Sequence, residues 1–205
     1  MLLKIHPETP GHRQVQKAID IFKGGGVIIF PTDTVYGLGC DVFNHKAVER
    51  VANIKGISLD KAHFSFICHN LSHLTDYARH VNNPTFKLMK QHLPGPYTFI
   101  LPATGFVPKK ISPKRKTVGV RIPDYPAIQQ LVGLLDEPLA NTSINIEEHL
   151  RGDPDEVGPA VSHEVEVMLD AGRLSDPVGS TIIDLTGDVP ALVRQGKGAW
   201  GDDYG

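Results

Sequence analysis

The chain is poor in cysteine and tryptophan and has no dominant charge sign. Its 205 residues hold two cysteines and one tryptophan, and 21 Lys and Arg stand against 23 Asp and Glu, a formal net charge of −2. Cys40 and Cys68 cannot build a disulfide framework, and neither belongs to a CxxC pair, so a reducing compartment fits. The near-neutral balance excludes a polycation that holds nucleic acid by overall charge, and any such contact must come from a local patch. Apolar runs reach only about four or five residues, where a spanning helix needs roughly 18. The stretch after Met1 is soon broken by Lys4, His6, Pro7, Glu8 and Pro10, without the apolar centre of a signal peptide. The expectation is a soluble cytoplasmic protein. What is present in quantity is core: 40% hydrophobic residues suffice for one domain, read as residues 1–205, while 20 Gly and 16 Pro predict tight turns.

Val15, Ala18, Ile19 and Phe22 follow the i, i+3, i+4, i+7 spacing of a helix face, and Gly24-Gly25-Gly26 ends that helix. Val27 to Phe30, closed by Pro31, reads as a buried strand. Asn44 and Asn70 are suited to cap helices with apolar faces at Ala47, Val48, Val51 and Ala52 and at Leu71, Leu74 and Tyr77, with a strand from Phe64 to Cys68 between them. Pro84 opens another helix and Pro126 a further one, carrying Ile128, Leu131, Val132 and Leu135. The second half is richer in strands: Tyr97 to Leu101, Val118 to Ile122, Leu139 to Thr142, Val165 to Leu169, Thr181 to Leu185 and Pro190 to Arg194. Helices between early strands and hairpin-like spacing later predict an α/β fold with a mixed twisted open sheet and helices packed on it. The Gly-rich tail after Arg194 is expected to fray or to touch another copy.

The triple glycine precedes its strand, whereas phosphate-binding glycine loops follow a strand and open a helix, so it is a helix stop. After that strand, PTDTVYGLGCD reads as a loop bearing Thr32, Asp33, Thr34 and Tyr36 at a strand end, where open α/β sheets bind ligands. Arg121 lies inside the apolar run VGVRI, where a guanidinium needs an anionic partner, either a structural carboxylate or a ligand. Polar groups gather at other strand ends as well: Thr98, the run Asn141 to Asn145, and Gly179-Ser180-Thr181. His63, His69, His73 and His80 have no metal-site spacing, and no metal is expected. Lys109, Lys110, Lys114, Arg115 and Lys116 put five cations into eight Pro-interrupted positions, either a solvated loop or a local phosphate-backbone contact.

Taken together and in this order, PTDTVYGLGCD, the Lys55 segment, LPGPYTFIL, VGVRIP, Ser143-Ile144-Asn145, VGSTIIDL and VRQG resemble the YrdC/YciO family, and FKLMKQHLPGPYTFIL and KRKTVGVRIP resemble its YciO branch. The resemblance runs from about Val15 to Gly196. It implies a YrdC/RibB-like twisted sheet with a concave basic cavity. It also implies the chemistry of threonylcarbamoyl-adenylate synthases, nucleotidyltransferases that use L-threonine, bicarbonate and ATP with Mg²⁺ and release pyrophosphate, in the N6-threonylcarbamoyladenosine modification of tRNA. Binding of double-stranded RNA or tRNA is associated with the same family. Residue by residue, the resemblance puts Thr34 near the substrate threonine, Lys55 in a Lys-x-Arg element facing phosphates, and Thr98 in a GPLT-like strand. Arg121 matches the arginine for the threonine carboxylate, Ser143 and Asn145 a Ser-x-Asn element, Ser180 an STV-like strand, and Arg194 an arginine approaching the nucleotide. A family histidine corresponds to Cys68 or His69. Ile57 stands where the arginine of Lys-x-Arg is expected, which weakens ATP use unless Lys61 or Arg50 substitutes. Two readings therefore stand: a synthase, and a YciO-like nucleotide- or RNA-binding protein without full synthase activity.

Overall fold

In the computed structural model of the chain, which describes residues 1–59, 62–108, 116–161 and 163–201, the elements run β1 (Leu2–Lys4), α1 (His12–Lys23), β2 (Ile28–Phe30), β3 (Gly37–Asp41), α2 (His45–Ile54), β4 (Ser65–Ile67), α3 (Leu71–Thr75), α4 (Asn83–His92), β5 (Tyr97–Pro102), β6 (Thr117–Arg121), α5 (Pro126–Leu135), β7 (Leu139–Ser143), a 3₁₀ turn (Glu148–Leu150), α6 (Pro154–Val161), β8 (Val167–Asp170), β9 (Thr181–Asp184) and β10 (Ala191–Arg194). The strands form one mixed sheet in the order β1-β8-β2-β3-β7-β4-β6-β5-β9-β10. Neighbours in sequence pair antiparallel (β2 with β3, β5 with β6, β9 with β10), while β4 with β6, β5 with β9 and β2 with β8 are parallel.

Local chemistry accounts for most boundaries. α1 buries Val15, Ala18, Ile19 and Phe22 and stops at Gly24, followed by Gly25 at φ 82°, a conformation that costs glycine nothing. Side-chain oxygens of Asn44, Asn70 and Asn82 accept from the backbone N–H groups of Ala47, His73 and Thr85, capping α2, α3 and α4.

Alternation along the strands divides the core. Val27 and Ile29 belong to one apolar cluster, with Leu38, Phe66, Phe99 and Val120; Ile28 and Phe30 belong to the other, with Ile67, Leu139 and the buried stripes of α1 and α5. On that second face the strands change character along their length. Leu139 and Ile67 lie under α1 and α5, whereas Asn141 and Ser143 of β7 and Ser65 of β4, two and four residues away, line an open cavity. The cavity is thus the part of one sheet face that no helix covers among the described residues.

Two expectations need correction, and two further elements carry no clear sequence pattern. Gly37–Asp41 is a central strand between β2 and β7, not loop; its two glycines hid the strand pattern. They are required because a Cβ at Gly37 would lie 2.8 Å from the Phe30 ring, and one at Gly39 2.8 Å from both that ring and the Ala140 carbonyl oxygen. β1 at the sheet edge is too short to read from its pattern. α6 is concealed by Pro154 and Pro159, yet buries Val157 and Val161. Finally, the tail through Trp200 is tied down: Thr181 Oγ1 accepts from the Gly196 N–H at 3.0 Å, Tyr97 Oη donates to the Ala199 carbonyl at 2.8 Å, and Trp200 packs on His92.

Candidate active site

Arg121 closes β6 and is only 4% exposed. Its Nη2 donates to a carboxylate oxygen of Asp33 and, at 2.8 Å, to Thr34 Oγ1. Thr32 Oγ1 donates to the Val35 carbonyl at 2.7 Å and accepts from the Thr34 and Val35 N–H groups, so the contact of 3.0 Å between the two hydroxyls has Thr34 as donor. The Pro31 loop is therefore a self-bonded clamp on the guanidinium. Burial pushes the Arg121 pKa down and Asp33 opposes this; a guanidinium stays charged at neutral pH regardless. Of the two anionic partners open to Arg121, a structural carboxylate or a ligand, the one in place is a carboxylate of this chain, and the arginine lies in the same cavity wall as Ser143.

A second polar group sits at the start of β9. Thr98 Oγ1 and Ser180 Oγ are 2.9 Å apart, and Arg194 donates through Nη2 and Nε to the Ser180 carbonyl at 2.6 and 3.1 Å. Gly179 makes room for that arginine, since a Cβ there would meet Arg194 Nη2 at 3.1 Å. Across the cavity, Lys55, which caps the C-terminus of α2, donates from Nζ to the Ser143 carbonyl at 2.6 Å. Its pKa is pushed below the ordinary lysine range, first by burial and then by repulsion from Arg151.

These residues line one cavity of about 380 Å³. Of the sequence-derived set, Thr34, Lys55, Thr98, Arg121, Ser143, Ser180 and Arg194 are in its wall. Asn145 is not: it is exposed, two residues past the end of β7, so the Ser-x-Asn spacing leaves its amide outside the wall. The strand alternation from Leu139 brings Asn141 to the wall instead, where its Nδ2 donates to Ser65 Oγ at 3.2 Å. Ile57 lines the cavity as well, but Arg50 does not; it pairs with Glu166 at 2.7 Å on the outside of the molecule, and Lys61 lies outside the described residues. Thr32 of the Pro31 loop is in the wall too, and Arg151 and His63 are further wall residues that the sequence motifs do not single out for the site. Arg151 sits in an unpatterned turn, and no local signal marks it.

Cys68 and His69 are not wall residues. Cys68 is buried in the core, as is Cys40, and burial pushes both thiols up to about 12, so neither is a ready nucleophile. Among the described residues, no three His, Cys, Asp or Glu side chains form a group able to hold a metal, and no helix is long and apolar enough to cross a membrane. Of the basic loop, Lys109, Lys110, Lys114 and Arg115 lie outside the described residues; Lys116 is exposed and directly precedes the wall residue Thr117.

The Sua5/YciO/YrdC family profile, described under telomere recombination, matches residues 20–196. YciO of Escherichia coli (strain K12) is 40% identical over 197 residues, 95% of this chain and 94% of that protein. The crystal structure of E. coli YciO superposes with a TM-score of 0.90 at 39% identity over 97% of both chains. A threonylcarbamoyl-AMP synthase of Pyrococcus abyssi (strain GE5 / Orsay) is 32% identical over 191 residues, 89% of this chain but 54% of that protein. The structure of P. abyssi Sua5 complexed with L-threonine matches with a TM-score of 0.88 at 29% identity, over 96% of this chain and 57% of that one.

Proposed function

The chain belongs to the Sua5/YciO/YrdC family, and from that premise we propose that its cavity binds L-threonine and ATP and makes threonylcarbamoyl-adenylate. The observation that carries the reading is the cavity wall itself: four cations, Lys55, Arg121, Arg151 and Arg194, interleaved with hydroxyls at strand ends. A relative of known chemistry, the P. abyssi synthase, shares the fold, and its Sua5 structure holds L-threonine. In this reading Arg121, Thr34, Thr98 and Ser180 receive the amino acid, while Lys55 and Arg194 receive the phosphates.

The chemistry needs no protein nucleophile. The threonine amine and bicarbonate condense to a carbamate with loss of water. A carbamate oxygen attacks the α-phosphorus of ATP, the bond to the β-phosphate bridging oxygen breaks, and pyrophosphate leaves with that electron pair. Charge develops on phosphate oxygens, so fixed cations and correct placement supply the rate. Each cation is already held, Lys55, Arg151 and Arg194 by backbone carbonyls and Arg121 by the side chains of Asp33 and Thr34, so little reorganisation is required. Mg²⁺ enters as part of the substrate MgATP, bound by phosphates and water rather than by a protein cage.

Incubation with L-threonine, bicarbonate and Mg-ATP should yield pyrophosphate and the adenylate in equal amounts, with neither formed when threonine is omitted. Absence of both products would overturn the synthase reading. Ile57 in the wall favours a second reading, a protein that binds nucleotide or RNA without turnover. Under it, ATP or tRNA binds without product, and neutralising Lys114, Arg115 and Lys116 lowers the log-log salt slope of RNA binding by roughly 2 to 3.

A further inference from the structure

A triphosphate carries about four negative charges at neutral pH, and Lys55 and Arg194, with Ile57 in the wall where a further cation is expected, are a weak counterpart. Arg151 enters the same wall from the turn that follows the 3₁₀ segment Glu148–Leu150. Its backbone is fixed on both sides: the Arg151 N–H donates to the Glu148 carbonyl at 3.1 Å, and the Arg151 carbonyl accepts from the Tyr36 N–H at 2.9 Å. Its Nε donates to the Ile146 carbonyl at 2.9 Å, leaving the two terminal nitrogens, the pair that engages phosphate oxygens, without a hydrogen-bond partner among the described residues. No carboxylate forms an ion pair with Lys55, Arg151 or Arg194 among the described residues.

We propose that Arg151 is a phosphate-binding residue of this cavity, supplying from the segment after β7 the cation that position 57 does not. The inference rests on the cavity being an anion site of the kind described above, and it identifies the group that makes Ile57 tolerable. Electrostatics is consistent with it: burial is the first cause lowering the pKa of Lys55 and of Arg194, and repulsion from Arg151 adds to both, against an opposing attraction of Arg194 to Glu148.

The test is calorimetric titration of inorganic pyrophosphate, of ATP and of L-threonine into the full chain and into Arg151→Gln, with Arg151→Met as a variant that keeps the aliphatic stem in the wall. Loss of charged hydrogen bonds predicts pyrophosphate and ATP binding weaker by about 10- to 100-fold, with threonine affinity unchanged. Adding Ile57→Arg to Arg151→Gln should recover most of the pyrophosphate affinity, a rescue that a merely structural role of Arg151 would not produce. Pyrophosphate affinity within twofold of the unaltered protein in either folded Arg151 variant overturns the proposal while leaving the synthase reading intact. Pyrophosphate binding that depends on Arg151 without ATP binding keeps the proposal and overturns the nucleotide reading, and absence of both kinds of binding in the unaltered protein overturns the two together.

Discussion

Arg121, in the wall of the cavity, forms an ion pair with Asp33, the side chains 5% and 11% exposed. The pair joins β6 to the loop after β2, which is 88 residues away in sequence. Two charges so enclosed depend on each other more than they add to stability.

Asp33→Ala should therefore destabilise the fold by about 3–5 kcal/mol, because it leaves a buried guanidinium uncompensated. The double change Asp33→Leu with Arg121→Met should restore most of that loss while abolishing threonine binding. Urea denaturation midpoints decide it; a single variant within about 1 kcal/mol of the parent would mean that water reaches Arg121.

Thr98→Val removes one hydroxyl of the pair with Ser180 but leaves Ser180 in contact with Arg194, whose Nη2 is 3.4 Å from Ser180 Oγ. The expected stability cost is about 1 kcal/mol. If this pair reads the amino acid, threonine affinity falls by about tenfold with ATP affinity unchanged. Calorimetry with each ligand separates the two effects.

Gly39→Ala should cost about 1–3 kcal/mol or more, since the new methyl would collide with Phe30, Leu139 and the Ala140 carbonyl oxygen in the middle of the sheet. Gly105→Ala, where nothing lies within 4 Å of the new carbon, is the matching control and should be neutral. Equal melting temperatures for the two variants would contradict the close approach at β3.

Lys55 sets a pH dependence. Its pKa in the free protein is lowered, and a bound anion raises it again, so affinity is full while Lys55 is protonated and falls as pH rises through its lowered pKa. Sulfate, whose charge is constant over that range, should show this alkaline loss earlier than an ordinary lysine would give. Arg151→Gln removes the repulsion and should move the loss to higher pH. A pH-independent sulfate affinity would exclude Lys55 from the anion site.

Much of this architecture is written in local pattern. The 3.6-residue spacing of Val15, Ala18, Ile19 and Phe22, the capping asparagines and the β-branched runs each specify an element through interactions within a few residues, and those elements form as read. The cost of a guanidinium within Val118 to Ile122 points to an anionic partner for Arg121 by the same local reasoning. What sequence alone leaves open are matters of pairing. β3 is a strand because Phe30 and Asn141 fill the space beside its glycines. Asn141 reaches the wall, and Asn145 does not, because β7 pairs with β3 and β4 in one register and ends at Ser143. Arg151 meets Lys55 across nearly a hundred residues, where neither has any sequence sign of the other. Secondary structure answers to short-range sterics and periodicity, whereas the cavity and its charge exist only once distant strands share a face.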